Sequence, residues 1–323
     1  LNQEENLTPP SGAPPRSRAV LFGLGNYAKT QILPNLSPGI EITAIHETDP
    51  TQIDPSYRGR YNLSTAPLPG EKDYRAYFIA GYHHTHAELA VRALEDGAAA
   101  VVEKPVATTR AQLAALEKAL RKPGGRIFVC YQMRYNPLFQ NARRDLDAED
   151  GAPVHIAADV YEIPLPPRHW YRWPRSGSHL LSNGCHWIDH FLFMNDFSPP
   201  VRRSVERLEN GDTTVLVELE NGACLSLHLT HIGSPRIGVQ EYVAMRRRDR
   251  TVTVINSSRY RAEAGLRTVR KAKLNKTKVY RRMYREISRR IVEEEKGDTV
   301  DSILISAGLV LDLEEDLQHQ IRV

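Results

Sequence analysis

Residues 18–28, RAVLFGLGNYA, decide the fold, because an apolar run passes directly into two closely spaced glycines and a small residue. The run predicts a buried strand, and the pattern that follows predicts a helix over residues 30–36. Gly23 permits a tight turn, Gly25 lets the backbone approach a pyrophosphate, and Ala28 lets the helix pack closely on the strand. We therefore expect a dinucleotide to contact Gly23, Gly25, Asn26, Tyr27 and Ala28.

The second apolar run, residues 40–45, is followed by Glu47, which lies about 20 residues beyond the glycines. A carboxylate at the tip of this strand would accept hydrogen bonds from both ribose hydroxyls and would repel a 2′-phosphate. Glu47 therefore predicts NAD as the cofactor, with NADP as the alternative. A strand-end acid in a solvated turn is the competing interpretation.

Strand and helix patterns alternate through the first part of the chain. Apolar strand-like runs at residues 76–80, 99–102 and 126–131 are separated by amphipathic helical patterns at 87–97 and 109–121. Such alternation is typical of a doubly wound parallel sheet. We predict an α/β Rossmann domain over residues 18–135.

The pattern changes beyond residue 136. Strand-like runs follow one another at residues 154–162, 202–209, 213–219, 223–231, 241–246 and 251–256. Asn210-Gly211 and Asn221-Gly222 mark hairpin turns between them. We therefore predict an α+β domain over residues 136–298 with an open, mainly antiparallel sheet, followed by a C-terminal helix within residues 299–323.

Length and composition favour an ordinary two-domain protein. The 323 residues are 41% hydrophobic and 25% charged, and no apolar run reaches the roughly 18 residues that span a bilayer. Residues 1–17 are polar and rich in proline, which predicts a disordered tail without the features of a signal peptide. Because Cys130, Cys185 and Cys224 are far apart and odd in number, we expect no disulfide framework and a reducing cytoplasmic location.

Positive charge is concentrated in residues 236–290. This segment holds 18 Lys and Arg against 4 Asp and Glu, a net +14 within a chain of net +4, so the remainder carries −10. Solvated sheet and helix faces are the plainest explanation of such a run. A phosphate-bearing ligand is an alternative, and nucleic acid is the least favoured one.

Five linked motifs carry a resemblance to a known family. They are GLGNYA at 23–28, GYHHTHAELAVRAL at 81–94, VVEKPVATT at 101–109, YQMRYNP at 131–137 and SGSHLLSNGCHWID at 176–189. In order and spacing they resemble the glucose-fructose oxidoreductase/inositol dehydrogenase (GFO/IDH/MocA) family. The resemblance implies a nicotinamide-dependent oxidoreductase, a homo-oligomer (dimer or tetramer), and a last helix that packs back on the Rossmann domain.

The resemblance also implies roles for particular residues. It places Lys104 on the family's catalytic lysine, beside the nicotinamide, and His186 on its catalytic histidine. At the end of a parallel strand an ammonium would face the ligand crevice and could stabilise negative charge on a carbonyl oxygen. The remaining cofactor contacts are expected from Gly81, Tyr82, His83, His86 and Glu103, with Lys104 among them.

One position departs from the family pattern. Where most members carry an aspartate four residues before the histidine, this sequence has Ser182, followed by Asn183. Serine cannot act as a carboxylate base, so the usual alcohol-oxidising machinery is altered. Asp189 aligns with the family's structural acid and is not expected to replace the missing group.

The substrate site is expected around a proline-rich loop. Residues 164–173, PLPPRHWYRW, combine aromatic and guanidinium groups that suit a sugar-like or phosphate-bearing ligand, although such aromatics can also anchor a loop to the core. Two histidine groups, 83/84/86 and 186/190, lack further ligands in sequence, so no metal is predicted. The predicted substrate contacts are Lys104, Arg134, Tyr161, His169, Trp170, Ser182, Asn183 and His186.

Three functions remain open from the sequence. The leading hypothesis is hydride transfer between NAD(P) and a secondary alcohol or carbonyl of a sugar-like, perhaps nucleotide-linked, small molecule. The departure at Ser182 motivates two alternatives, an imine (C=N) reductase and a non-catalytic dinucleotide-binding regulatory protein. Neither a nucleic acid nor a membrane is expected as a partner.

Overall fold

The computed structural model describes residues 16–148 and 151–322. Within them, the first sheet contains only parallel strands in the order β3-β2-β1-β4-β5-β6. This confirms the predicted Rossmann arrangement. The strands are β1 (Ser17–Phe22), β2 (Ile40–His46), β3 (Asn62–Ser64), β4 (Ala76–Ile79), β5 (Ala99–Val102) and β6 (Ile127–Val129).

The predicted tail is described only at its end. Residues 1–15 lie outside the described residues, so the prediction of disorder there stays a prediction. Ser17 belongs to the sheet, where it pairs with Ile40. The ordered domain therefore begins at least one residue before the predicted boundary.

Seven α-helices surround the two sheets of the described residues. In the first half of the chain these are α1 (His86–Glu95), α2 (Arg110–Leu120), α3 (Gln132–Tyr135) and α4 (Pro137–Asp145). The later ones are α5 (Cys185–Met194), α6 (Thr277–Val292) and α7 (Val300–Arg322).

The prediction of a helix over residues 30–36 is wrong in detail. The structure has one wide turn at Ala28–Ile32, closed by a hydrogen bond from the Leu33 N–H to the Ala28 carbonyl, and then a tight turn at Leu33–Asn35. Pro34 lacks the N–H that a continuing helix needs, which explains the early end. The glycine turn is therefore followed by a short, irregular helical segment.

The second sheet has the order β14-β13-β12-β11-β7-β10-β9-β8, and β7 with β10 is its only parallel pair among the described strands. This confirms the open, mainly antiparallel sheet. The edge strand β14 and its neighbour β13 were not predicted, because their sequences RTVRKAK and RYRAEA are highly charged. The strands are β7 (His155–Tyr161), β8 (Pro200–Arg207), β9 (Thr213–Leu219), β10 (Cys224–Thr230), β11 (Gln240–Arg247), β12 (Arg250–Ile255), β13 (Arg259–Ala264) and β14 (Arg267–Lys273).

Both faces of the first sheet are covered, one of them by a helix from the distant end of the chain. Helices α1 and α2 pack on one face, and α6 packs on the other through Met283, Tyr284, Ile287 and Ile291. Residues 136–298, predicted as the second domain, therefore supply the second sheet and also a helix that covers the first sheet. Helix α7 packs against α2 of the first domain and also against α5 and β8.

Part of the concentrated positive charge has partners inside the fold. Asp145 at the end of α4 accepts hydrogen bonds from Tyr260 (2.6 Å) and Arg270 (2.8 Å), and Arg250 donates to its backbone carbonyl (3.0 Å). These contacts join α4 to the charged edge of the second sheet. Among the described residues, no helix is both long and apolar enough to cross a membrane.

Candidate functional site

The glycine turn is shaped by two glycines with different surroundings. Gly23 has φ +90°, and a Cβ there would lie 2.6 Å from the Ala80 carbonyl oxygen and from backbone atoms of Gly81. Only glycine fits this close approach of β1 to β4. A Cβ on Gly25 would meet no atom within 4 Å, so its free side faces open space where a phosphate can approach the backbone.

A cavity of about 430 Å³ opens beside this turn and is lined by Gly23, Gly25, Asn26, Glu47 and Tyr82 among others. Glu47 is buried, and its Oε2 accepts a hydrogen bond from the Leu24 N–H (2.5 Å) while its Oε1 accepts one from the Asp49 N–H (2.8 Å). The carboxylate is thus fixed against the glycine turn. Since each oxygen has a second lone pair, both can still accept from ribose hydroxyls.

A second cavity of about 600 Å³ adjoins the first at the glycine turn and the loop after β4. It runs between the two sheets and contains most of the predicted site. The predicted residues on its wall are Gly25, Asn26, Tyr27, Gly81, His83, His86, Glu103, Lys104, His169, Trp170, Asn183 and His186. Ala28 lies buried just beneath the turn.

Lys104 follows β5 and reaches across to the turn that precedes α5. Its Nζ donates to the Ser182 carbonyl (2.7 Å) and to Asn183 Oδ1 (3.3 Å), and the peptide bond to Pro105 is cis. Burial alone would lower the pKa of Lys104, but Tyr171 and Cys185, followed by Glu103 and Glu162, raise it above its usual value. The side chain is therefore an ammonium at neutral pH and can donate to a substrate oxygen.

His186 lies in the first turn of α5 and contributes to the same cavity wall as Lys104. Its Nδ1 is buried without a hydrogen-bond partner among the described residues. Burial and the positive charge of Lys104 lower the pKa of His186 well below its usual value. The ring is therefore neutral, which lets it accept a proton.

Glu103 belongs to a buried polar group that the sequence did not reveal. Tyr284 of α6 donates to Glu103 Oε1 (2.5 Å), and its hydroxyl oxygen lies 3.2 Å from that of Tyr27. Burial raises the pKa of Glu103, whereas the bond from Tyr284 opposes this. Through Tyr284, α6 braces the inner wall of the site.

The aromatic loop packs against the histidine loop that follows β4. Trp170 makes edge contacts with Tyr82 (5.2 Å between ring centroids) and with His83 (4.7 Å), and Tyr171 lies 4.5 Å from His83. Burial lowers the pKa of His83 to about 2 and that of His86 to about 4, so both rings stay neutral. The aromatic loop closes the site at the boundary between the first and the second cavity.

His86 acts as a brace for the neighbouring backbone. Its Nδ1 lies 2.8 Å from the Pro105 carbonyl and its Nε2 lies 3.1 Å from the Gly81 carbonyl. These contacts tie the loop after β4 to the segment that carries Lys104. Because the neutral ring carries one N–H, it donates to only one of these carbonyls, and the other nitrogen is in close contact without a hydrogen bond.

Three predicted substrate residues lie behind the cavity wall instead of on it. Arg134 forms two hydrogen bonds with the buried Asp189, because both lie in the interior where α3 meets α5. Tyr161 is buried against Gly233, and Ser182 is buried with its hydroxyl directed to the His179 carbonyl (3.4 Å). We therefore remove these three side chains from the candidate substrate site.

The structure adds cavity residues that sequence reasoning missed. Glu162 follows β7, and Glu241, Ser257 and Lys276 lie together at another part of the cavity wall. Glu162 had a signal, since it ends a predicted strand as Glu47 does. The other three come from strands and a helix start whose convergence no local pattern indicates.

No metal centre is evident among the described residues, which contain no group of three or more His, Cys, Asp or Glu that could hold an ion. His190, one turn beyond His186, is fully buried and lies against Phe139 at a ring distance of 4.2 Å. His186 lies on the cavity wall and His190 packs in the core, so the two histidines of α5 do not form one metal site.

Comparisons with known proteins agree with the dinucleotide-binding fold. A family model described as "Oxidoreductase family, NAD-binding Rossmann fold" (GFO_IDH_MocA) matches residues 17–131. Inositol 2-dehydrogenase 3 of Saccharopolyspora erythraea is 26% identical over 228 residues, which cover 66% of this chain and 66% of that relative. The chain thus aligns with slightly less than two thirds of this relative's length.

Solved structures share the whole fold. An oxidoreductase domain protein from Kribbella flavida superimposes with a TM-score of 0.81 at 15% identity, covering 95% of this chain and 98% of its own. The WlbA dehydrogenase from Bordetella pertussis, solved with NADH and UDP-GlcNAcA, gives 0.75 at 17% identity, with 95% and 96% covered. At such identities the likeness shows the fold alone.

The Rossmann sheet and its open glycine turn define a dinucleotide-binding protein. More particularly, the family model matched by residues 17–131 and the inositol dehydrogenase relatives support a GFO/IDH/MocA family oxidoreductase, in agreement with the resemblance seen in the sequence motifs.

Proposed function

We propose that this protein is an NAD-dependent dehydrogenase that transfers hydride between nicotinamide and a secondary alcohol or carbonyl of a sugar-like small molecule. The observation that carries the proposal is the meeting of Lys104 and His186 on one cavity that is continuous with the glycine turn. A bound nicotinamide would supply the hydride acceptor. The turn, Glu47 and the histidine loop would hold the dinucleotide.

Lys104 and His186 divide the work at the substrate oxygen. Lys104 donates a hydrogen bond that stabilises negative charge on that oxygen, because its partly buried ammonium is fixed by two acceptors. His186, neutral in the buried site, accepts the hydroxyl proton during oxidation and returns it during reduction. Their shared cavity wall argues against a purely regulatory role.

The charged side chains on the cavity wall also limit the chemical class of the substrate. The charged groups on the inner cavity are the two lysines Lys104 and Lys276 and the three glutamates Glu103, Glu162 and Glu241, with histidines between them. Such a balance supports a neutral, hydroxyl-rich compound more than a phosphorylated one, because a phosphate needs an excess of cationic donors. A nucleotide-linked sugar is the second candidate, which the aromatic loop favours.

A substrate screen tests the proposal directly. The purified protein would be incubated with NAD and a panel of cyclic polyols, free sugars and UDP-sugars, while absorbance at 340 nm reports the reduced cofactor. We expect turnover with at least one polyol or sugar. Reduction of cyclic imines by NADH, together with inactivity on every polyol and sugar, would instead support an imine reductase.

The cofactor preference rests on Glu47. We expect calorimetric titration to show tighter binding of NADH than of NADPH, and we expect Glu47→Gln to weaken NADH binding about tenfold or more, as for loss of a charged hydrogen-bond acceptor. Glu41→Gln is the matched control, since Glu41 is exposed on the same strand. A preference for NADPH would show that Glu47 does not contact the ribose.

The outer face of the second sheet is our proposed contact between subunits. It exposes Leu216 of β9 and Tyr242 of β11, apolar groups that a second copy could cover. Light scattering of the purified protein tests this assignment, and a dimer or tetramer is the expected result. A monomer would contradict it.

A further inference from the structure

The site described above contains a carboxylate that the motif at position 182 lacks. Glu162 lies at the end of β7, in the cavity wall that also includes Lys104, Asn183 and His186. Its Oε2 accepts hydrogen bonds from Asn183 Nδ2 and from His179 Nε2 (2.9 Å). A strand of the second sheet thus places a carboxylate in the same cavity wall as the ammonium group of Lys104.

Asn183 connects this carboxylate to the lysine. Its Oδ1 accepts from Lys104 Nζ, while its Nδ2 donates to Glu162. The network fixes the orientation of the amide, because an ammonium can only donate and a carboxylate can only accept. Lys104, Asn183, Glu162 and His179 therefore form one continuous chain of hydrogen bonds.

The chain closes at its outer end on a pair of histidines whose rings are in tilted contact. The rings of His179 and His231 lie 4.4 Å apart, and His231 Nδ1 lies 3.1 Å from the backbone carbonyl of Glu162. His179 and His231 hold both the side chain and the backbone of Glu162. Two contacts to the carboxylate and one to the backbone carbonyl preorganise Glu162 for one task.

We propose that Glu162 is a positioning residue for Lys104, and that its negative charge, relayed through Asn183, replaces the aspartate absent at position 182. The role rests on the proposed function, since it concerns the lysine assigned to the substrate oxygen. Glu162 keeps Lys104 protonated and directed into the cavity. His179 keeps Glu162 in the position from which it can do so.

Other charged and titratable groups also face Lys104, and the test must separate them from Glu162. Glu103 precedes Lys104 on its own strand end, Tyr171 comes from the aromatic loop, and Cys185 and His186 come from α5. His83 and His86 lie on the loop after β4. Within the part of the chain that the structure describes, only Glu162 is a carboxylate joined to Lys104 through a hydrogen-bonded side chain.

Competitive labelling with trace acetic anhydride measures the effect without any substrate. The acetylation of Lys104 would be compared by peptide mass spectrometry with that of Lys118, an exposed lysine on α2, between pH 8 and pH 11. In the wild type we expect Lys104 to stay unreactive across this range. In Glu162→Gln the labelling of Lys104 should set in within this range, because loss of a nearby opposite charge lowers the pKa of a lysine by about one unit or more.

Two further variants complete the test. Glu162→Asp keeps the charge and should keep Lys104 protected, while Glu206→Gln on the exposed strand β8 should behave as wild type. An unchanged titration in Glu162→Gln would overturn the proposal, and so would equal shifts in Glu162→Gln and Glu162→Asp. Looser packing alone would raise the limiting rate of labelling without moving the pH midpoint.

A functional measurement adds an independent readout. With any substrate that the screen identifies, Glu162→Gln should lower kcat and move the alkaline limb of the pH profile to lower pH, while the KM for NAD stays near the wild-type value. Because labelling requires no turnover, a shifted titration in an inactive protein would contradict only the proposed function. A normal titration in an active protein would contradict only the role of Glu162.

Discussion

Replacement of Lys104 by alanine should reduce turnover about a hundredfold to a thousandfold or more while leaving the affinity for NADH nearly unchanged. The ammonium is the one cationic donor assigned to the substrate oxygen, and its removal takes away stabilisation that is needed as charge develops there. The glycine turn and Glu47 are the proposed main contacts of the dinucleotide, and the substitution leaves them intact. Single-turnover kinetics and calorimetry on the same preparation measure the two quantities.

Two companion variants sharpen this expectation. Lys104→Arg keeps the charge but presents a planar fork in place of a compact ammonium, so it should restore little of the rate. Lys118→Ala removes an exposed lysine on α2 and should leave both quantities unchanged. An unchanged rate in Lys104→Ala would exclude Lys104 from the chemistry.

Much of the first domain could be predicted because its determinants are local. The glycine turn follows an apolar strand directly, and Lys104 follows the next-to-last strand in the same way. Carboxyl ends of parallel strands meet at one edge, so residues read from separate strand ends converge in space. Glu47 was found by the same reasoning, and its burial against the glycine turn is a detail that only the structure supplies.

The errors have physical causes as well. The helical pattern after Ala28 is interrupted by Pro34, whose effect on the helix outweighed the apolar spacing. Strands β13 and β14 carry so many charges that their alternation is hidden, although Tyr260 and Ala262 face the interior. Helix α6 joins the Rossmann sheet only through tertiary contacts, which its own sequence cannot indicate.

The substrate site was the least predictable part for a related reason. Arg134 looked available because its partners Asp189 and Asp298 are distant in sequence. Glu162 follows the end of a strand of the second sheet, and no local pattern connects it with the motif around Ser182. A side chain from another sheet can supply a charge that the motif has lost.

The buried pair of Arg134 and Asp189 should be the most costly ion pair to disrupt in the interior between the domains. Asp189 is fully buried and accepts from Arg134 and from Ser306 of α7 (2.7 Å), so it joins α3, α5 and α7. Asp189→Asn leaves the Arg134 charge with a weakened partner, and such losses cost about 3–5 kcal/mol. The midpoint of urea unfolding should therefore fall clearly.

A matched exposed acid separates this effect from a general loss of negative charge. Asp73, whose side chain is 96% exposed, contacts Arg18 at 3.5 Å, and Asp73→Asn should change the stability by at most about 1 kcal/mol. Since Asp298 also lies 3.5 Å from Arg134, it retains part of the compensating charge and limits the loss in Asp189→Asn. Equal unfolding midpoints for the two variants would show that the Arg134–Asp189 pair does not hold the domains together.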